Sequence, residues 1–237
     1  MSQVVCEVFW LGQVDYQVAW DMQREMAGEI ARGLRPATLL LLEHPPTFTF
    51  GRRAQVANLL WNEAELVQRG ICTFWVDRGG DVTYHGPGQL VGYPLLPLLP
   101  GGLFAGSHPK GLLKADYTGY LRKLEQTLVQ TLVALGAEST AIQGLTGVWV
   151  KQTGQPKPAK IAAIGVKVDA NGVSQHGFAL NVNPEMIHWE GIIACGLAGY
   201  SLTCLAEILI PCPTMEAVRS QATQAFGEVF GYELKTV

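Results

Sequence analysis

Charged side chains are scarce in this sequence, and no cluster of them dominates any stretch of it. They make up 16% of the 237 residues, whereas hydrophobic residues make up 48%. Disordered chains have the opposite balance, so we expect this chain to fold over most of its length. It carries 17 basic and 20 acidic side chains without a long basic stripe, which argues against nucleic acid as the main ligand. An acidic carrier protein could still dock on a local basic patch.

Long apolar runs are missing as well. No run approaches the roughly 20 residues that a helix needs to cross a bilayer. The first residues, MSQVVCEVFWLGQ, lack the basic start and the small-residue cleavage site of a secretory signal peptide. We therefore expect a cytoplasmic protein that does not partner with a membrane.

Paired cysteines are also absent. The five cysteines are odd in number and scattered without a C-x-x-C pair, at Cys6, Cys72, Cys195, Cys204 and Cys212. This spacing disfavours a disulfide framework and a structural zinc site, and no other ligand cluster suggests a metal. Most of these thiols should be buried small apolar groups, with at most one or two of them chemically active.

The hydrophobic pattern predicts strands and helices without regular alternation. β-Branched and aromatic runs predict strands at 4–10, 38–44, 71–76, 147–150, 160–168 and 173–182. Asn171-Gly172 predicts the turn between the last two. Helical spacing predicts helices at about 15–34, on the face formed by Tyr117, Leu121, Leu124, Leu128, Leu132 and Leu135, and from the N-cap Thr214 onward. The expected fold is a single α+β domain over residues 1–237, with a mixed β-sheet flanked by α-helices.

The stretch RGGDVTYHGPG, residues 78–88, packs four glycines around an arginine and a histidine. It lacks G-x-G-x-x-G and the G-K-[ST] ending, and a strand follows it, so a nucleotide loop is disfavoured. A tight turn with positive-φ glycines would explain the glycines alone. A pocket wall, with backbone close to a ligand, would also explain Arg78, Tyr84 and His85.

Two further segments, both predicted strands, contain residues that could belong to a functional site. In AKIAAIGVKV, strand alternation places Lys160 on one face with Ala162, Ile164, Val166 and Val168, either at an exposed strand end or in a buried site. In VSQHGFALNV, alternation groups His176 with Phe178 and Leu180. The small side chains of this hairpin fit either close helix packing or a slot for a slim ligand such as an acyl chain.

The segment GIIACGLAGYS places Cys195 before Gly196, on a glycine-containing loop. A lone cysteine is usually a buried hydrophobe. A nucleophile needs a partner that stabilises the thiolate, and Lys160 or a histidine could serve.

Taken in order, RGGDVTYHGPGQLVGYPL, KIAAIGVKV, HGFALNVN and ACGLAGYS closely resemble the lipoyl(octanoyl) transferase family, also called octanoyl-[acyl carrier protein]:protein N-octanoyltransferases. LLLLEHPPTFTFGRR and TGVWV fit too, and the resemblance runs from about residue 4 to 230. It implies a fold similar to biotin and lipoate protein ligases. One departure is Ala194, where the family commonly has proline before the cysteine.

The resemblance also implies a reaction and its residues. An octanoyl group moves from octanoyl-acyl carrier protein to a lysine of the lipoyl domains of 2-oxoacid dehydrogenase complexes or of the glycine cleavage H protein. Cys195 matches the nucleophile that carries the thioester, and Lys160 matches its acid/base partner. The matching substrate-contacting residues are Arg78, Gly79, Gly80, Asp81, Val82, Thr83, Tyr84, His85, Ala163, Ile164, Gly165, Gly177, Phe178 and Ala179.

Because a thioester is already activated, we expect no cofactor and no ATP. The tetrahedral intermediates need hydrogen-bond donors for their oxyanion, and both His85 and backbone N–H groups beside Cys195 are candidates. The alternative function is an ATP-dependent lipoate or biotin protein ligase of the same fold, which would not need Cys195. A non-catalytic acyl-chain binder would have the slot without thiol chemistry.

Overall fold

An eight-stranded mixed β-sheet organises the fold. The computed structural model describes residues 4–98, 105–106, 114–152, 154–194 and 199–237. Within them the strands are β1 Val4–Gln13, β2 Ala37–Glu43, β3 Thr47–Phe50, β4 Cys72–Trp75, β5 Val82–His85, β6 Gln89–Leu95, β7 Ala105–Gly106, β8 Lys114–Ala115, β9 Thr140–Ile142, β10 Leu145–Val150, β11 Ala159–Val168, β12 Ser174–Asn181 and β13 Tyr232–Thr236. The large sheet has the order β13-β1-β2-β6-β12-β11-β10-β9.

A second, three-stranded sheet is formed by strands that lie between β2 and β6 in the sequence. Its order is β4-β3-β5, with β3 parallel to β4 and antiparallel to β5. The short strands β7 and β8 form a separate antiparallel pair. Residues 78–85, predicted to approach a ligand, comprise the end of the connection after β4 and strand β5 itself.

The helices are α1 Tyr16–Ala31, α2 Glu63–Gln68, α3 Tyr117–Ala134, α4 Leu205–Ile208 and α5 Met215–Phe230. Helix α1 packs on one face of the large sheet, and α3 and α5 pack on the other, whereas Leu66 of α2 packs against the small sheet. Side-chain oxygens cap four of their N-termini, from Asp15, Asn62, Asp116 and Thr214. These caps satisfy backbone N–H groups that have no partner inside the helix.

The core divides into layers on either side of β2. Leu39 and Leu41 belong to a cluster with α3 and α5, while Leu40 and Leu42 pack in a second cluster with α1. Successive strand residues point to opposite faces, so a strand buried on both faces is apolar throughout. The run ATLLLL therefore predicts a central strand, and β2 lies between β1 and β6.

The predicted fold class, a mixed α+β architecture, is confirmed. All six predicted strands are present, and the hairpin of β11 and β12 turns at Asn171-Gly172 with a φ of 79° at Gly172. One position on the predicted α3 face is wrong, because Tyr117 is 51% exposed and the buried stripe begins at Tyr120. No helix among the described residues is long and apolar enough to span a membrane.

Candidate active site

A cavity of about 460 Å³ lies where β11 and β12 meet the segment that carries β5. Its volume is within the usual range for small-molecule sites. Its walls come from several separate parts of the chain: Tyr16, Arg53, Gln55, Asn58, Arg78, Gly80, Asp81, Thr83, His85, Tyr93, Gly144, Leu145, Thr146, Lys160, Ala163, Ile164, Gly165, His176, Gly177, Phe178 and Ala179. The fold thus brings most of the residues singled out in the sequence to one place.

The predicted substrate-contacting residues fall into two groups. Those that line the cavity are Arg78, Gly80, Asp81, Thr83, His85, Ala163, Ile164, Gly165, Gly177, Phe178 and Ala179. Whether they bind a substrate stays a prediction. Gly79, Val82 and Tyr84 are not among the lining residues. Val82 and Tyr84 point to the other face of β5, into a cluster with Phe48 and Trp189. Tyr84, expected in the pocket wall, therefore lies outside the lining of this cavity.

Tyr84 has a packing role instead. It is fully buried, and its hydroxyl is hydrogen-bonded to His188 Nδ1 at 2.8 Å. A Cβ on Gly86 would lie 1.9 Å from that hydroxyl, and one on Gly88 would lie 2.2 Å from the Asn183 carbonyl oxygen. These two glycines therefore allow close packing within the protein itself.

The guanidinium of Arg78 is buried in a crevice formed by glycines. Its Nη2 donates to the Thr49 carbonyl at 2.7 Å and to Thr49 Oγ1 at 2.9 Å, and its Nη1 donates to the Gly79 carbonyl at 2.9 Å. A Cβ on Gly51 would lie 2.8 Å from Nη1, and one on Gly165 would lie 3.0 Å from Arg78 Cδ. The absence of side chains at these glycines makes room for Arg78, so the charge is held at the cavity wall.

His85 is held by protein groups at both ring nitrogens. Nδ1 is 2.9 Å from Gln89 Oε1, and Nε2 is 3.3 Å from Thr49 Oγ1. Burial, together with the nearby His44 and Arg78, holds the pKa of His85 well below its usual range, so its ring is neutral near pH 7. Since its one N–H is already donated to Gln89, His85 forms part of the wall and is a poor candidate for the oxyanion donor.

The direction of Lys160 is set by a break in strand alternation. The pairing of β10 with β11 shifts between Val148↔Ala162 and Trp149↔Lys160, so one extra residue is accommodated on β11. Consecutive residues Ile161 and Ala162 therefore both belong to the core cluster. The prediction that Lys160 shares a face with Ala162 is wrong, because this irregularity turns Lys160 out of the core and into the cavity.

Lys160 lies between two cavities. It is 5% exposed, and its Nζ is 5.1 Å from the centre of the Trp149 ring. A Cβ on Gly147 would lie 2.8 Å from Lys160 Cε, so the absence of a side chain at Gly147 leaves room for the Lys160 side chain. A second cavity of about 270 Å³ shares Lys160 with the first, and its other lining residues are Trp149, Trp189, Ile192, Ile193, Ala194, Gly199, Tyr200, Ser201 and Leu202.

Cys195, the predicted nucleophile, and its neighbour Gly196 lie outside the described residues. The residues that flank the gap are described: Ala194 and Gly199 both line the second cavity, which Lys160 shares. The other thiols differ from one another. Cys6 and Cys204 are buried, and burial raises the pKa of Cys6 to about 12. Cys72, in contrast to the expectation that most of the thiols are buried, is exposed on β4, an edge strand of its sheet.

His176 lines the cavity from a strained backbone position. Its φ is 56°, in the left-handed region that is rare for residues other than glycine. The predicted grouping of His176 with Phe178 and Leu180 is wrong, because its ring lies near Trp20 and Tyr93 on the α1 side of the sheet. Nε2 is 2.9 Å from the Asp77 carboxylate, which Lys167 also contacts.

Several lining residues were not predicted from the sequence. Tyr16 begins α1, Tyr93 lies on β6, and Arg53, Gln55 and Asn58 belong to the loop after β3. Asp81 ties this loop to the cavity wall by accepting a hydrogen bond from Asn58 Nδ2 at 2.6 Å. The sequence signal that could have indicated this loop is GRRA, residues 51–54, in which a glycine and two arginines follow an apolar strand. Across the described residues, no three His, Cys, Asp or Glu side chains are grouped so that they could hold a metal ion.

The sequence matches a known family and its members over most of its length. The model of the family described as "Lipoyl protein ligase A/B catalytic domain" matches residues 15–227. The chain is 43% identical over 226 residues to an octanoyltransferase of Chloroflexus aurantiacus, covering 95% of this chain and 94% of the relative. It is 40% identical over 233 residues to an octanoyltransferase of Acidobacterium capsulatum, covering 98% and 92%.

Solved structures share the fold at low sequence identity. A bi-partite lipoate protein ligase from Thermoplasma acidophilum superimposes with a TM-score of 0.72 at 16% identity, covering 99% of this chain and 88% of that chain. A lipoate-protein ligase A bound with ATP gives 0.70 at 15% identity, covering 98% and 89%. These likenesses show the lipoate-ligase fold and, at such identity, nothing finer.

Proposed function

The chain belongs to the lipoyl protein ligase A/B catalytic domain family, and from this premise we propose that it is an octanoyltransferase of protein lipoylation. The donor is octanoyl-acyl carrier protein. The acceptors are lysines on the lipoyl domains of 2-oxoacid dehydrogenase complexes and on the glycine cleavage H protein. The reaction takes place in the cytoplasm.

The observation that carries this proposal is the placement of Lys160. Its buried side chain lines a cavity large enough for an acyl group and also a second cavity. Ala194 and Gly199, on either side of the residues that include Cys195, line that second cavity. A cysteine between them fits the role of a nucleophile that meets the acyl group beside Lys160.

In the first step, the Cys195 thiolate attacks the thioester carbonyl of the donor. A new sulfur–carbon bond forms, and the donor's carbon–sulfur bond breaks. The donor's sulfur leaves as a thiol after taking a proton from the Lys160 ammonium, so one thioester replaces another and Lys160 is left neutral. A free cysteine near pKa 8.5 is only a few per cent thiolate at pH 7, so a cationic amine nearby favours the reactive form. Lys160 is the residue proposed to supply that charge.

In the second step, the neutral amine of the acceptor lysine attacks the Cys195 thioester. An amide bond forms, the cysteine sulfur leaves, and Lys160 takes the proton that the amine loses. Both tetrahedral intermediates carry a negative oxygen that needs donors. With the N–H of His85 donated to Gln89, backbone N–H groups beside Cys195 are the proposed donors.

A transfer assay separates this function from the ligase of the same fold. The protein is mixed with octanoyl-acyl carrier protein and a lipoyl domain, without ATP, and the mass of the domain is followed. The proposal expects an octanoyl mass shift on the domain. If octanoylation occurs only with free octanoate and ATP, the protein is a ligase and the proposal is wrong.

A further inference from the structure

A line of buried polar side chains runs from Arg78 at the cavity wall into the interior. Arg78 Nη2 donates to Thr49 Oγ1 at 2.9 Å, and that oxygen is 3.3 Å from His85 Nε2. His85 Nδ1 is 2.9 Å from Gln89 Oε1. The side chain of Gln89 then donates from Nε2 to Asn181 Oδ1 at 2.9 Å. These contacts join β3, β5, β6 and β12.

The line ends on the main chain that holds Lys160. Asn181 Nδ2 donates to the Thr203 carbonyl at 3.0 Å. The Thr203 N–H donates to the Lys160 carbonyl at 3.1 Å, and the Lys160 N–H donates to the Ser201 carbonyl at 2.9 Å. Residues 201–203 therefore bind both the N–H and the C=O of Lys160, as a parallel bridge between Lys160 and Leu202. The same short segment follows the residues that include Cys195.

Backbone groups fix the direction of each hydrogen bond in the line. Gln89 Nε2 also donates to the Tyr84 carbonyl at 3.1 Å, so its oxygen must face His85. His85 consequently carries its proton on Nδ1, and its Nε2 accepts from the Thr49 hydroxyl. Every bond from Arg78 to Thr203 then points the same way, an arrangement in which neighbouring bonds strengthen one another.

Beyond the cavity wall, the line is sealed from solvent. Gln89 is 1% exposed, Asn181 is 3% exposed, and Thr49 and Thr203 are fully buried. A buried donor or acceptor that loses its partner has no water to replace it, so the arrangement is costly to disturb. Because hydrogen bonds are directional, another arrangement of these side chains would leave buried groups unpaired, and the line therefore favours one geometry.

We propose that Gln89 and Asn181 are positioning residues for acyl transfer, which fix residues 201–203 and through them Lys160. This inference rests on the proposed function of Lys160 but concerns residues that touch neither the acyl group nor the nucleophile. No proton moves along the line. Its effect is to hold the Lys160 amine in place while both substrates react in turn.

The test compares Asn181→Ala and Gln89→Met with Ser174→Ala. Ser174 is a matched control, because it is fully buried on the same strand and donates to the Pro94 carbonyl at 2.7 Å, outside both the cavity lining and the polar line. For each variant, single-turnover acylation by octanoyl-acyl carrier protein gives a maximal rate and a half-saturating donor concentration. Amide hydrogen exchange of residues 199–205 is measured by mass spectrometry, and thermal unfolding checks that each variant folds.

The proposal expects the maximal rate to fall about tenfold or more in both variants, with the half-saturating donor concentration within about twofold of the wild type. It also expects faster amide exchange in 199–205, which Ser174→Ala leaves unchanged. A folded variant with the control's rate and exchange would overturn the proposal, as would a loss confined to donor affinity. Should Asn181→Ala fail to fold, Gln89→Met carries the same comparison. An inactive wild type would instead refute the proposed function. The amide exchange rates would still show whether Gln89 and Asn181 fix residues 201–203.

Discussion

Lys160 shows how the direction of one side chain depends on the backbone around it. Its residue type and motif mark it as a candidate, and the fold adds burial, a contact with the Trp149 ring and a position between two cavities. Strand alternation alone would have placed it on the face of Ala162. A one-residue irregularity in the pairing of β10 with β11 decides otherwise, and irregularities of this kind leave no reliable mark in a single sequence.

Replacing Lys160 with alanine should slow acylation roughly a hundredfold or more, because the cysteine loses its charged acid/base partner. Lys151→Ala is the control, since Lys151 is an exposed lysine of the loop before β11. The rate is measured by quenched-flow mass spectrometry with octanoyl-acyl carrier protein. Equal rates in the two variants would remove Lys160 from the mechanism.

His85 illustrates a second limit of sequence reasoning at this scale. The motif indicated that it belongs to the site, and it does line the cavity. Its role depends on Gln89 four residues later and on Thr49 on another strand, which occupy its two nitrogens. Only the folded arrangement could distinguish a wall residue from an oxyanion donor.

The element that most directly shapes the path of Lys160 is β10. Gly147 has a φ of 120°, and its N–H donates to the buried Glu125 carboxylate of α3 at 3.1 Å. A Cβ at this position would lie 2.5 Å from the Ala162 carbonyl oxygen and 2.8 Å from Lys160 Cε. Position 147 of β10 therefore requires glycine, because any side chain there would collide with Lys160.

Gly147→Ala should lower both stability and the acylation rate, because the new methyl group collides with backbone and displaces Lys160. Gly136→Ala separates the two causes, since Gly136 has a φ of 89° with nothing within 4 Å of the new Cβ. Both variants bear the cost of a left-handed alanine, about 1–2 kcal/mol. We expect the rate loss in Gly147→Ala alone, and an equal rate loss in both would contradict this account.

Elements with strong local signals were predictable, and those defined by long-range pairing were less so. The apolar run of β2, the Asn171-Gly172 turn and the Thr214 cap each carry their own signal, and each is present. Strands β3, β5 and β13 are short and gain their definition from partners elsewhere in the chain. The small sheet that carries the cavity wall could not be assembled from sequence for this reason.

The whole site is assembled from distant segments, so it includes lining residues that lie outside the recognised sequence motifs. Tyr16 at the start of α1 and Tyr93 on β6 face the same cavity as Lys160 and Phe178. The ordered motifs identified the family and most of the lining. The remaining residues reach the cavity because of how α1 and the two sheets pack, which a linear pattern does not encode.

The folded molecule as a whole should lose stability in mild acid. Burial lowers the pKa values of His44, His85 and His176, that of His44 to about 4. The unfolded chain binds these protons near pH 6.5, so it holds more protons than the native state below that pH. The free energy of unfolding therefore falls as the pH drops, by up to about 1.4 kcal/mol per pH unit for each histidine.

Urea unfolding at pH 7.5, 6.5 and 5.5 measures this dependence. The midpoint should fall towards acid, and His44→Gln should show a shallower fall because one proton-binding group is removed. A midpoint that stays constant or rises between pH 6.5 and 5.5 would show that the buried histidines do not control acid stability.

The central claim is that Cys195 carries the acyl group without ATP. The most direct measurement is the intact mass of the protein after mixing with octanoyl-acyl carrier protein alone, followed by peptide mapping and hydroxylamine treatment. We predict one octanoyl adduct that maps to Cys195, is released by hydroxylamine and is absent from Cys195→Ala but present in Cys72→Ala, the exposed control thiol. The absence of an adduct in the wild type, or an adduct that persists in Cys195→Ala, would contradict the account.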